Sequence, residues 1–187
     1  MTTQPTARGP AQRYVALLRG INVGRAKRVA MADLRRVFGQ LGYTDVHSVQ
    51  GTGNLVFTCT ETPATAERRI GEGIVLKLGV AARVTVLTTA ELDELIEQCP
   101  LVAHAADPAR LLGCIVSDAS RLALLQSLAE QDWAPEAFAL GKRSAWLWCP
   151  DGILESRAAA QLGKLLGDGF TARNWPTLLR LQKLCAQ

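Results

Sequence analysis

A chain of 187 residues with 48% hydrophobic and 20% charged side chains fits one domain of ordinary size or two small ones. Its net charge of +4 is too modest to announce tight nucleic-acid binding, and no run approaches the roughly 20 apolar residues of a membrane span. Five cysteines (Cys59, Cys99, Cys114, Cys149, Cys185) are odd in number and far apart, without a CxxC pair. That spacing argues against a zinc site or a disulfide framework and for a reducing, cytoplasmic setting.

Residues 1–12, "MTTQPTARGPAQ", lack an apolar core and the h-region of a signal peptide, so they read as a disordered leader. "RYVALLRG" is a short apolar run ending at glycine, which predicts a strand over Tyr14–Arg19. Met31, Leu34, Val37, Phe38 and Leu41 then recur at helical spacing, with Gly42 where a left-handed cap would fall. "DVHSVQ" and "NLVFT" predict paired strands around a turn containing Gly51 and Gly53. Thr62 and Pro63 open the next helix as cap and first residue, running to about Lys77. "ARVTVLT" is a strand, and Thr88 with Glu91 forms a capping box for the helix after it.

The same order follows again. "RLLGCIVS" is a strand, "DASRLALLQSLAE" a helix capped by Ser117 or Asp118, and "EAFAL" with "SAWLWC" a hairpin across "GKR". A helix from Leu154 to Leu166, a strand at "GFTAR" and a closing helix from Trp175 complete the chain. Residues 13–100 and 101–187 therefore each read β-α-β-β-α-β plus a trailing helix, which predicts an α+β protein of two ferredoxin-like halves. The repeat lies in the element order, not in the residues.

A ferredoxin-like sheet has the order 4-1-3-2, so the loop after the first strand and the turn between the second and third share one end of it. "RGINVGRAKR" and "QGTGN" should then be neighbours, converging Arg19, Asn22, Thr52 and Asn54, with Lys27 and Arg28 close by. Alternation puts Leu55 and Phe57 on the helix-covered face, and Thr52, Asn54 and Val56 on a second face expected to carry polar groups. "QGTGNLVF" partly matches an RNA-recognition strand but lacks its basic residue and both exposed rings. Thr52 and Asn54 cannot replace base stacking, so no such platform is expected, and Tyr14 reads as a core-edge residue.

"LLRGINVG", "TGNLVF" and "TARNWPT", in this order, resemble the bacterial domain-of-unknown-function family 1697, whose members carry LRGINVGG, QSGNVVF and a TxRNWxT ending. The resemblance runs from Tyr14 to Leu184 and implies two ferredoxin-like halves without supplying a reaction. Its signature positions fall on Arg19, Gly20, Asn22, Gly24, Gly53, Asn54, Arg173, Asn174 and Trp175. Gly51, Thr52 and Arg25 depart from the Gln, Ser and Gly that the family has there.

Two glycines and several cations ahead of a helix N-terminus suit an anion, although "RGINVGRAKR" is neither a Walker loop nor a GxGxxG fingerprint. Asn174 has a structural reason as the cap of the last helix, with Pro176 in its first turn. Trp175 is expected at the junction of the halves. Arg173 has no local reason, which makes it a ligand candidate. Trp146 and Trp148 lie two residues apart on one strand face and are expected to bury into an interface rather than stack on a base. His47 and His104 lack partners at metal-ligand spacing, and no nucleophile, paired-carboxylate or cofactor motif is visible, so no metal, cofactor or catalytic residue is named.

The favoured expectation is a binding protein for an anionic ligand (a nucleotide, a phosphorylated metabolite or a nucleic-acid backbone) held by Arg19, Asn22, Lys27, Arg28, Thr52, Asn54 and Arg173. The alternatives are an enzyme acting on an acidic substrate between the halves, with Arg19 and Arg173 orienting it, and an assembly scaffold that forms a homo-oligomer.

Overall fold

The computed structural model describes residues 9–22, 28–49, 53–104 and 107–187. The chain divides into two compact units, one comprising the described residues up to Thr89 with Leu184–Gln187, the other Ala90–Lys183. Most of the expected leader, together with Gly24, Arg25, Lys27, Gln50, Gly51 and Thr52, lies outside the described residues. The remainder of that leader is already structured: Gly9 N–H donates to Thr60 O at 3.1 Å, and the first strand starts at Gln12.

The first unit contains β1 (Gln12–Arg19), α1 (Met31–Gln40), β2 (Thr44–Ser48), β3 (Asn54–Cys59), α2 (Pro63–Leu78) and β4 (Arg83–Thr88). The sheet runs β2-β3-β1-β4, with β1 antiparallel to both neighbours. This is the predicted order. Helix starts and stops follow their residues: Thr62 accepts from Thr65 N–H, Pro63 fills the first turn, and the helix ends at Gly79 in the left-handed conformation. Tyr14, Ala16, Leu18, Leu55, Phe57 and Val86 point to the helices and pack with Leu34, Phe38, Ile70 and Ile74. Tyr14 is thus a core residue, tilted on Phe57 with its hydroxyl donating to Glu61 O.

The second face of this sheet, expected to carry polar groups, is largely apolar and buried. Val15, Leu17, Val56 and Leu87 are buried, and Asn54 and Thr85 are only 4% and 3% exposed. The unbroken apolar run Tyr14–Leu18 is the cause, since a strand apolar on both faces must be covered on both. Reading β3 alone hid this.

The second unit contains α3 (Thr89–Glu97), β5 (Leu111–Val116), α4 (Gln126–Ala129), β6 (Ala137–Leu140), β7 (Ser144–Trp148), α5 (Arg157–Leu166), β8 (Phe170–Asn174) and most of α6 (Trp175–Cys185). Its sheet, β6-β7-β5-β8, repeats the topology of the first. α3 is tied to this unit by two ion pairs and a hydrogen bond: Glu91 accepts from Arg143 at 2.5 Å, Glu94 from Lys142 at 2.7 Å, and Asp93 from Gln182 at 2.8 Å. The helix expected after β5 is mostly a 3₁₀ turn, Ala119–Leu125, capped by Asp118 as foreseen. Leu122, Leu125 and Leu128 recur every third residue, the 3₁₀ period.

Trp146 is fully buried and edge-on to Trp175, with ring centroids 5.7 Å apart. Gly113 on β5 makes the space, because a Cβ there would lie 3.0 Å from Leu178 and 3.1 Å from the Trp146 ring. Both neighbours are buried and cannot retreat. Gly113→Val is therefore expected to destabilise the protein by roughly 1–3 kcal/mol in denaturant titrations.

Candidate functional site

The two turns singled out by the sequence do meet. At the end of β1, Leu18 N–H donates to Gly53 O at 2.7 Å, joining the start of one loop to the end of the other. Gly53 has φ +73, and a Cβ on it would lie 2.9 Å from Leu18 O and 3.0 Å from Ile21 Cδ1. Only glycine satisfies both the dihedral and the contact.

Each loop is tied by an asparagine. Asn22 adopts φ 57, which asparagine tolerates. Its Oδ1 accepts from Val29 N–H at 2.6 Å while its Nδ2 donates to Val29 O at 3.1 Å, so one side chain imitates a strand partner and closes the β1–α1 connection. Asn54 closes the β2–β3 turn: its backbone O accepts from Val49 N–H at 2.9 Å and its Nδ2 donates to Val49 O at 3.4 Å. Both amides therefore frame the loops.

Cations surround this end of the sheet. Arg19 and Arg83 are direct partners in the β1–β4 register, on the same face as Asn54 and Thr85. Arg28 is exposed just before α1, whose cap residue Ala30 supplies no side-chain hydrogen bond. Arg35 on α1 donates to Ser48 Oγ at 2.7 Å at the end of β2, and Arg36 is paired with Asp33.

Of the predicted residues, Arg19, Asn22, Arg28 and Asn54 come together at this end, whereas Lys27 and Thr52 are outside the described residues. Arg173 belongs to the second unit. It lies opposite Gly113 on β8 and donates to Thr171 Oγ1 at 2.9 Å and Ala172 O at 2.8 Å. Burial lowers its pKa to about 10, which leaves it charged at neutral pH. Asn174 caps α6 as expected, accepting from Thr177 N–H at 3.1 Å. Arg83 escaped sequence reasoning because its pairing with Arg19 exists only in the register of the folded sheet.

A second polar cluster, also missed, sits at the opposite end of the same sheet. Tyr43 Oη donates to Glu61 at 2.8 Å, and Arg69 pairs with Glu61, donates to Leu41 O at 3.1 Å and covers the Tyr43 ring. These residues line a hollow of about 280 Å³ with Thr44, Thr58 and Thr60. Burial, then the adjacent Glu61, pushes the Tyr43 hydroxyl well above the ordinary tyrosine range. The three groups satisfy one another and bind α2 to the start of β2.

Residues 11–146 match the model of a family described as a protein of unknown function, DUF1697. The chain belongs to this family. A conserved bacterial protein from Streptococcus pneumoniae shares the DUF1697 chain's fold, with a TM-score of 0.76 over 94% of this chain and 99% of that one. Its identity is 21%, so the likeness concerns the fold alone. No curated protein matches the sequence. No helix among the described residues is long and apolar enough to cross a membrane. In this DUF1697 protein the motif residues Asn22, Gly53 and Asn54 are what build the two loops and hold them together.

Proposed function

We propose that this protein binds an anionic ligand where the β1–α1 connection meets the β2–β3 turn. Arg19, Arg83, Arg28 and Arg35 supply positive charge from four separate segments. Asn22, Gly53 and Asn54 hold the frame, and Lys27 and Thr52, outside the described residues, complete the set that the sequence singles out. Arg173 belongs to the other unit and is left out of this set.

The observation that supports this reading is the Leu18–Gly53 hydrogen bond, which joins the end of β1 to the start of β3 next to the register pair Arg19 and Arg83. The α1 N-terminus, without a side-chain cap, adds its dipole at the same end. The ligand class is a phosphate-bearing molecule: a nucleotide, a phosphorylated metabolite or a nucleic-acid backbone. Guanidinium forks match its oxygens in geometry and charge.

Thermal-shift measurements with inorganic phosphate, nucleotides and short oligonucleotides test this. A ligand at 100 times its Kd contributes about 2.7 kcal/mol, which raises Tm by roughly 5–10 °C for a chain of this size. Arg19→Ala and Arg28→Ala should lose most of that shift, and added salt should weaken it. Equal shifts in wild type and variants, or no shift with any of these anions, would overturn the proposal.

A further inference from the structure

We propose that the β6–β7 turn of the second unit is a phosphate site that α3 keeps filled with its own carboxylates. It stands on contacts within the second unit and does not depend on the first-unit site. Strand register makes the two sheet ends equivalent. In the first unit Leu17 pairs with Asn54, and Leu18 N–H donates to Gly53 O. In the second Ile115 pairs with Ser144, and Val116 N–H donates to Arg143 O at 3.2 Å. Arg143 thus holds the place of Gly53, with Lys142 beside it in the turn. Ser117, whose N–H donates to Gly169 O, holds the place of Arg19. The second unit carries its cations in the turn where the first carries them on the strand ends.

Both cations already face an anion. Glu91 accepts from Arg143 and Glu94 from Lys142. These carboxylates stand three residues apart on one helix face, about 5–6 Å between Cβ atoms, so the cations they hold are brought to one spot. Leu92 and Ile96 are buried, so α3 itself stays in place and only the two carboxylates turn away. The Lys142 and Glu94 side chains are 72% and 40% exposed, and such pairs hold weakly. Glu94 also accepts from Gln98 at 3.2 Å, a partner it keeps when Lys142 is taken. A phosphate group carries close to two negative charges at neutral pH and several acceptor oxygens. One such group can meet ammonium and guanidinium together, where each carboxylate meets a single cation. A phosphate-bearing molecule therefore competes with α3 for the turn.

Amide chemical shifts of the full chain, titrated with inorganic phosphate at constant ionic strength, read this directly. Glu91→Gln with Glu94→Gln removes both competing charges at nearly unchanged shape, with an unchanged circular-dichroism spectrum as its control. In that double variant Lys142, Arg143 and Ser144 should move along a saturable curve, with a dissociation constant at least about tenfold below the wild-type value. Glu94→Gln alone, at the more exposed pair, should give part of that gain. Adding Lys142→Ala and Arg143→Ala to the double variant should abolish the movement. Turn amides that stay still in both glutamine variants, or that follow the wild-type curve, would overturn the proposal. So would a response that survives the loss of Lys142 and Arg143. Leu18–Asn22 report the first-unit site in the same titration, so either site can fail without the other.

Discussion

Replacing Gly53 with valine is expected to destabilise the protein by roughly 2–4 kcal/mol, combining strain in the left-handed region with overpacking. Its φ of +73 is disfavoured for a β-branched residue, and the new Cβ would meet a backbone oxygen, Leu18 O, at 2.9 Å. A carbonyl in the β1–β3 pairing cannot step aside, so the strand end or the turn must move. Melting temperature should fall by roughly 5–15 °C. Gly39→Ala provides the contrast. Nothing lies within 4 Å of its Cβ, and it sits inside α1, where alanine favours the helix by about 1 kcal/mol. Equal losses in the two variants would mean that the loop contact is not the cause.

Glu136 carries the second large effect. It reaches from the start of β6 to the N-terminus of α5, where Arg157 N–H donates to it at 3.0 Å and Ala158 N–H at 3.2 Å. Ser156 Oγ also donates to it, while that oxygen accepts from Ala159 N–H at 3.0 Å. Burial alone would raise the carboxyl pKa, but the Ser156 hydrogen bond and the two helix amides outweigh it and hold it below the usual range. Glu136→Ala removes the carboxylate that accepts from Ser156 Oγ and from the Arg157 and Ala158 amides, with only 8% of the native side chain exposed. A loss of about 2–3 kcal/mol is expected in denaturant titrations.

Linkage fixes the pH dependence. A carboxyl held lower in the folded than in the unfolded chain stabilises above its unfolded pKa of about 4.3, and the benefit disappears as pH falls through the folded value. The stability gap between wild type and Glu136→Gln should therefore be full at neutral pH and close below about pH 4. A gap that stays constant down to strongly acidic pH would assign the effect to packing instead.

The topology was legible in the sequence because strand alternation, Thr62-Pro63 and the Gly42 stop act locally. The meeting of the two loops followed from that topology. Three features were not legible, each for a nonlocal reason. The start of α5 lies at Arg157 rather than Leu154, since Glu136, some twenty residues upstream, helps Ser156 to cap it. Arg83 joins Arg19 only through strand register. Asn22 and Asn54 looked like ligand contacts, but their amides close their own loops, a role that depends on where Val29 and Val49 fall in space. Sequence spacing marks polar residues at a strand end without saying whether they face a ligand or the backbone.

Amide chemical shifts recorded during titration with inorganic phosphate test the central claim most directly. The account predicts that Leu18–Asn22, Val29–Ala32 and Gly53–Asn54 move together along one saturable curve, and that Arg19→Ala abolishes the movement. Shifts confined to the second unit, or none in these three segments at saturating phosphate, would contradict it.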